Sequence, residues 1–275
     1  MDKKIISLGT VSGKVLLFGG VYSNLQALEA LKRIAETLDI PAENCICTGD
    51  IIGYCAQPEE TLQLFQLWGA KSILGNVEIQ LRDGATDCGC EFRKGSRCDS
   101  FSQQWYPYAQ SKLSPQSYAY LNTLPDHIQF SYAGKKATVV HGSWFDVADY
   151  IFKSTSWETK ERSVLASESD VIIAGHCGLP FKDEQNGKTW LNPGVIGMPP
   201  NDGTPQVWYA VLDDANGTFS YQHHTLEYDH LRTHRLMNEA PLPPEYARTI
   251  LTGIWDNTEI LPPVETGLQG FGIRL

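Results

Sequence analysis

Val15-Leu16-Leu17-Phe18-Gly19-Gly20-Val21-Tyr22-Ser23-Asn24-Leu25 decides the fold class. Four consecutive apolar residues closed by two glycines read as a short buried strand. Ser23 and Gln26 are spaced as a capping box. Leu25, Leu28, Leu31 and Ile34 follow at helical spacing, so a helix is expected to about Leu38. Cys45-Ile46-Cys47 is a second strand, ending at Gly49-Asp50, and Pro58 then opens a helix with Glu59 and Glu60 in its first turn. Lys71 to Leu74 is a third strand, ending at Gly75-Asn76. This alternation predicts right-handed crossovers and a parallel sheet.

Further along, Asp83 to Asp99 is rich in Gly, Asp and Cys, has no period, and reads as an inserted loop. Two helical stretches follow, the second opened by Ser114-Pro115. Phe130 to Tyr132 and Ala137 to Val140 form a hairpin pattern around Gly134-Lys135. A helix is expected from Trp157 to Ala166 and a strand at Val171 to Ile173. Thr189 to Leu191, Val207 to Leu212 and Phe219 to His224 read as strands, with Asn216-Gly217 a hairpin turn between the last two. No repeat or low-complexity linker divides the chain, so residues 1–275 are expected to form one domain. The segment 241–275 is a proline-rich tail with one short helix near Glu245 to Leu251, expected to wrap the surface.

Composition narrows the function classes. The chain carries a net charge of −10 with a sequence pI of about 5.1, which disfavours long nucleic acids as partners. Its 42% apolar and 20% charged residues exclude wholesale disorder. No apolar run is long enough to cross a bilayer. Lys3 and Lys4 imitate a signal sequence, but Lys14 interrupts what would be its apolar core, so a cytoplasmic protein without membrane association is expected. Seven cysteines cannot all pair within the chain, and free thiols or metal ligands are expected before disulfides.

Ligands in open α/β sheets bind beyond the carboxyl ends of strands. Four such ends carry polar residues: Asp50 after Thr48-Gly49, Asn76 after Leu74-Gly75, His141 after Val139-Val140, and His176 after Ala174-Gly175. One carboxylate, one amide oxygen and two imidazoles make a plausible shell for a divalent cation. Each residue alone reads as part of a turn, and it is the four ends together, with complementary ligand types, that point to a site.

The order and context of these segments resemble the calcineurin-like metallophosphoesterases. Phe18 to Leu25 is similar to that family's strand and Asp-x-His-Gly-Asn-Leu motif. Gly49-Asp50, Gly75-Asn76-Val77-Glu78, His141-Gly142-Ser143, Gly175-His176-Cys177-Gly178 and Asn192-Pro193-Gly194 resemble its later motifs in order. The resemblance spans about Val15 to Asp213. It implies an α/β fold of two packed mixed β-sheets flanked by helices, a four-layer α/β/β/α sandwich with metal at the strand ends. It implies Asp50, Asn76, His141 and His176 as the ligands of one ion. The other ion's ligand positions hold Gly20, Tyr22 and Gly178 beside the shared Asp50, and Val77 stands where the family carries its catalytic histidine.

The expected cofactor is therefore one divalent ion, Mn, Fe or Zn, and the expected activity is a divergent metal-dependent hydrolysis of a phosphate mono- or diester. The substrate would be a small-molecule phosphate ester or a phosphoprotein. The alternative is a catalytically silent binding or regulatory protein on the same fold. His141 and Glu78 are the candidate catalytic proton carriers, although Glu78 also reads as a first-turn helix acid, and Tyr22 reads as a ring filling the space of the missing ion. Cys88, Cys90 and Cys98 read either as free thiols of a glycine-rich loop or, with Cys177, as extra thiolate ligands. Cys45 and Cys47 share one strand face and read as core residues.

Overall fold

A computed structural model describes residues 3–90 and 92–275. Its strands are β1 (Ile5–Val11), β2 (Val15–Phe18), β3 (Cys45–Cys47), β4 (Lys71–Ser72), β5 (His127–Tyr132), β6 (Lys135–Val139), β7 (Val171–Ile173), β8 (Phe181–Gln185), β9 (Lys188–Asn192), β10 (Val207–Asp213) and β11 (Ser220–Leu226). Its α-helices are α1 (Leu25–Thr37), α2 (Pro58–Trp68), α3 (Asn76–Arg82), α4 (Arg97–Lys112), α5 (Pro115–Leu121), α6 (Trp157–Ala166), α7 (His230–Glu239), α8 (Pro244–Thr252) and α9 (Pro263–Thr266).

The strands form two mixed sheets, in the orders β11-β10-β2-β3-β4 and β1-β5-β6-β7-β9-β8. Only part of the expected parallel pattern is present. β2, β3 and β4 pair in parallel, but β10 joins β2 antiparallel, because the hairpin β10–β11 is added to that edge. The alternation of side chains along β2 and β3 explains the layering. Val15, Leu17 and Ile46 point between the sheets, where they meet Ile128, Val139, Ile173 and Leu191 of the other sheet. Leu16, Phe18, Cys45 and Cys47 point outward into a second core with Leu28 and Leu31 of α1 and Leu62 and Phe65 of α2. A third core on the far side joins Ile172 and Trp190 to Val164 of α6. The result is the helix–sheet–sheet–helix sandwich expected from the resemblance. Each fully buried leucine in these cores contributes about 1.5–3 kcal/mol relative to exposure.

Three local expectations change. Asn24, not Ser23, caps α1, accepting the Ala27 N–H, while Ser23 Oγ accepts the N–H of Gly53. The segment 83–99 is irregular only as far as Ser96, which caps α4, so Cys98 and Asp99 lie in a helix. The tail does more than wrap the surface: Ala247 and Ile250 of α8 are buried in the same core as α1. No helix among the described residues is long and apolar enough to cross a membrane.

Candidate metal centre

The four strand ends converge. Asp50 and Asn76 arrive from the five-stranded sheet, following β3 and opening α3, and His141 and His176 follow β6 and β7 of the six-stranded sheet. His141 Nε2 lies 3.2 Å from Asp50 Oδ2 and 3.1 Å from both Asn76 Oδ1 and His176 Nδ1. One donor atom each from Asp50, His141 and His176 lies within 4.8 Å of the other two, and all three residues are buried.

The backbone is bent to deliver these side chains. Asp50 and His176 have φ of 58° and 57°, and Tyr22 and Ser23 have 52° and 61°. Such left-handed conformations cost about 1–3 kcal/mol each for non-glycine residues and persist where surrounding bonds over-determine them. Those bonds are present. The Asp50 and Ile52 N–H groups donate to Glu78, and Tyr22 and Ser23 donate their N–H groups to the carbonyls of Asp50 and Ile51. Gly75 leaves the room, since a Cβ there would sit 2.0 Å from Asp50 Oδ1.

The donor set fits a cation. His141 Nδ1 stands 2.6 Å from the Thr48 carbonyl, which places a proton on Nδ1 and turns Nε2 toward Asp50, Asn76 and His176. The Asn76 amide is turned the right way too: its Nδ2 donates to the Cys88 carbonyl at 2.8 Å and to Cys90 Sγ at 3.1 Å, which aims Oδ1 inward. Four electron-rich atoms then face one another, more than one shared proton can satisfy. The three separations from His141 Nε2 are close to the ~2.8–3.4 Å edges of an octahedron or tetrahedron built on metal–ligand bonds of ~2.0–2.1 Å. His176 Nε2 is buried with no hydrogen-bond partner. Burial pushes the His176 pKa down to about 3, which keeps that imidazole neutral and able to ligate. Burial opposes a charge on His141 as well, but the Asp50 carboxylate outweighs it and raises its pKa above the usual value.

The expected proton carriers have other tasks. Glu78 is fully buried and accepts the N–H groups of Asp50, Ile52 and Gly75 at 2.7, 3.1 and 2.9 Å. Burial, and then the Asp50 charge, push its pKa up. It is a positioning residue that also caps α3 at the third position, not a group facing substrate. Both nitrogens of His141 are engaged, so it has none free to shuttle protons.

The thiols lie outside the converging donor atoms. Cys90 Sγ takes the Asn76 bond and sits 2.8 Å from Cys88 Sγ, so this pair stands behind the Asn76 amide. Cys98 Sγ donates to Asn257 Oδ1, and Cys177 Sγ donates to the Leu179 carbonyl and accepts from Asn192. Burial holds the Cys98 and Cys177 pKa values up at about 11 and about 12, so both are thiols at neutral pH.

The space beside the centre is aromatic. A Cβ at Gly20 would fall 2.3 Å from Tyr22 Cζ, so the Tyr22 ring occupies the ground beside that glycine, and one at Gly178 would sit in ordinary contact, 3.4 Å from the Trp255 ring. Val77 is fully buried in the core. Asp50 and His176 line a cleft of about 90 Å³ whose walls include Tyr22, Tyr54, Tyr150, Tyr246 and Trp255. Tyr246 and Trp255 come from the tail, roughly two hundred positions from Asp50. Their aromatic character amid a proline-rich segment was the only available signal, and it does not distinguish a cleft wall from packing. His234 Nδ1 lies 2.8 Å from the Ala247 carbonyl and His230 Nδ1 lies near the Tyr228 carbonyl, so this pair serves local packing.

Comparison with known proteins agrees with this fold. The family model for the calcineurin-like phosphoesterase superfamily domain matches residues 19–217. The chain is 22% identical over 236 residues to an uncharacterized protein of Methanocaldococcus jannaschii, covering 80% of this chain and 89% of that one. Its fold is similar to a metallophosphoesterase from Sphaerobacter thermophilus, with a TM-score of 0.69 at 22% identity over 89% of this chain and 100% of that one. It is also similar to a hypothetical protein from Pyrococcus horikoshii OT3, with a TM-score of 0.73 at 19% identity over 88% of this chain and 99% of that one. The matched segment covers most of the chain and contains all four converging residues, and the chain belongs to the calcineurin-like phosphoesterase superfamily.

Proposed function

We propose that the protein is a divergent phosphoesterase that hydrolyses a small phosphate ester with one divalent ion, Mn, Fe or Zn, held by Asp50, Asn76, His141 and His176. The observation that carries this reading is the convergence of Asp50, Asn76, His141 and His176 from two sheets, with Asp50 and His176 lining a cleft. A bound divalent ion supplies Lewis acidity toward a phosphoryl oxygen and lowers the pKa of water. The chain's own residues do the rest. Thr48 and Asn76's partners fix the ligands, Glu78 fixes the loop that carries Asp50, and the aromatic walls exclude bulk water. Burial, and then the Asp50 charge, hold the Tyr22 phenol pKa well above its ordinary value, so Tyr22 meets a substrate as an O–H donor. The narrow cleft favours a small molecule over a phosphoprotein. All seven cysteines are unpaired, which supports a reducing, cytoplasmic compartment.

One observation favours the silent alternative on the same fold: the Tyr22 ring fills the ground beside Gly20. Two measurements separate the readings. Elemental analysis should find about one equivalent of Mn, Fe or Zn in the wild type and none in Asp50→Ala. Turnover of aryl phosphate mono- and diesters should appear with added metal and vanish in His141→Ala. Metal without turnover on any ester would favour the silent reading, and no metal under any loading condition would sink both the ligand set and the hydrolase.

A further inference from the structure

We propose that Cys88 and Cys90 are a modification site: hydrogen peroxide closes them into a disulfide, and the closure loosens the metal centre through Asn76. The disulfide stands on the placement of the two thiols alone. Its effect on the centre rests on the metal-dependent reading above and names a regulation of that site.

The sequence brings the two sulfurs together. Side chains two residues apart on an extended strand share a face but stand about 6.6 Å apart. Here Gly89 intervenes with φ of 67°, a left-handed conformation that folds the chain back. Asp87 accepts the Gly89 N–H at 2.9 Å and holds the turn. Cys88 Sγ and Cys90 Sγ then lie 2.8 Å apart, about 0.8 Å more than the ~2.05 Å of a disulfide bond. Among the described residues no other two sulfurs are hydrogen-bonded to each other. The thiols of Cys45, Cys47, Cys55 and Cys177 donate to backbone carbonyls, and that of Cys98 donates to Asn257.

The pair is reached through the cleft. Cys88 and Cys90 are buried, at 3% and 4% exposure, yet Cys90 lines the same cleft as Asp50 and His176. An oxidant that enters there must be small and uncharged, and hydrogen peroxide is both. One thiol sulfur bonds to a peroxide oxygen as the O–O bond breaks, giving a sulfenic acid and water. The second sulfur then bonds to the first, and its proton leaves with the sulfenic hydroxyl as a second water. The two sulfurs lose two electrons in all, and the peroxide takes them up. A dithiol restores both thiols by exchange.

The same turn holds a residue of the centre. Asn76 Nδ2 donates to the Cys88 carbonyl at 2.8 Å and to Cys90 Sγ at 3.1 Å. The Cys90 carbonyl accepts the Tyr150 hydroxyl at 3.4 Å, and the Tyr150 ring lies 4.2 Å from the ring of His176. Closing the sulfur–sulfur bond draws Cys90 Sγ toward Cys88, and a disulfide sulfur is a poorer acceptor than a thiol sulfur. The amide then loses one of the two bonds that aim its Oδ1 at His141. Loss of an outer partner weakens metal binding by about 10–100-fold.

The test uses the full chain, reduced and freed of metal, before and after exposure to hydrogen peroxide. One portion is alkylated and digested with trypsin. The peptide 83–93 contains Cys88 and Cys90 and no other cysteine, so the disulfide reads as a loss of two hydrogens and a refusal of alkylation. The other portion is cleared of peroxide and titrated with Mn²⁺ by calorimetry. The oxidised chain should bind about 10–100-fold more weakly than the reduced one, and dithiothreitol should restore the affinity. Cys88→Ser should show no affinity change on peroxide treatment, and Cys98→Ser should respond as the wild type does. A peptide that keeps both thiols, or gains oxygen at either, overturns the site. A disulfide that leaves Mn²⁺ affinity unchanged overturns its effect on the centre. A reduced chain that takes up no Mn²⁺ while the disulfide still forms defeats the metal reading and leaves the modification site standing.

Discussion

At the scale of single residues, the site depends on a buried acid that meets no ligand. Glu78 holds the backbone N–H groups of Asp50, Ile52 and Gly75, and Asp50 is in a left-handed conformation. Replacing Glu78 with Gln removes one acceptor oxygen and turns an NH₂ group toward N–H donors. An unsatisfied buried group costs about 1–3 kcal/mol, and loss of an outer partner weakens metal binding by about 10–100-fold. Glu78→Gln is therefore expected to lower the urea midpoint and the Mn²⁺ affinity together. Turnover at saturating metal should be far less affected, because Glu78 faces the loop and not the cleft. A variant with native stability and affinity but no turnover would return Glu78 to a catalytic part. That Asp50, Asn76, His141 and His176 come together was legible in the sequence because each is a polar residue directly after an apolar strand. The role of Glu78 was only half legible: its first-turn position on α3 showed, but its bonds to a loop near residue 50 are tertiary.

At the scale of elements, legibility follows burial. β2, β3, α2, α6 and β7 are interior or amphipathic and carry the periodicities their burial requires. β1 and β8 escaped notice, and both lie at the edges of the six-stranded sheet. β1 is mostly exposed, with Ile5 at 41% and Ile6 at 38%, and β8 reads Phe-Lys-Asp-Glu-Gln, so neither shows the apolar run of a central strand. The cysteine-rich loop was legible as an interruption but not in its task. Its Cys88 carbonyl and Cys90 thiol orient the Asn76 amide, while Cys98 belongs to α4 and bonds Asn257. Ser can accept the Asn76 bond in place of Cys90, and the backbone carbonyl is untouched by any substitution. The triple replacement of Cys88, Cys90 and Cys98 by Ser is thus expected to keep about one equivalent of metal by elemental analysis, with affinity within about tenfold of wild type. Loss of the metal from that variant would show that thiolates coordinate it.

At the scale of the whole molecule, the centre is a clip between two sheets. Asp50 and Asn76 belong to one and His141 and His176 to the other, and the apolar interior behind them joins the same two sheets. Without a cation, the clip brings the buried Asp50 and Glu78 charges close together, which is the reason for part of the Glu78 shift. With a cation, that repulsion is offset and the sheets gain a bond set that the unfolded chain cannot assemble. Metal binding should then appear as global stability and not only as local order. At a metal concentration about a hundredfold above Kd, linkage contributes about 2.7 kcal/mol. For a chain of this size that amounts to a Tm rise of about 5 °C. Scanning calorimetry of the wild type with and without Mn²⁺ should show this rise, and a chelator should reverse it. Asp50→Asn, which keeps the shape but removes the charge, should show little or none of it. His176→Ala, which removes a ligand from the opposite sheet, should lose it as well. If only variants in one sheet abolished the rise, the ion would be held by that sheet alone, and the clip would have to be given up even though the ion stayed.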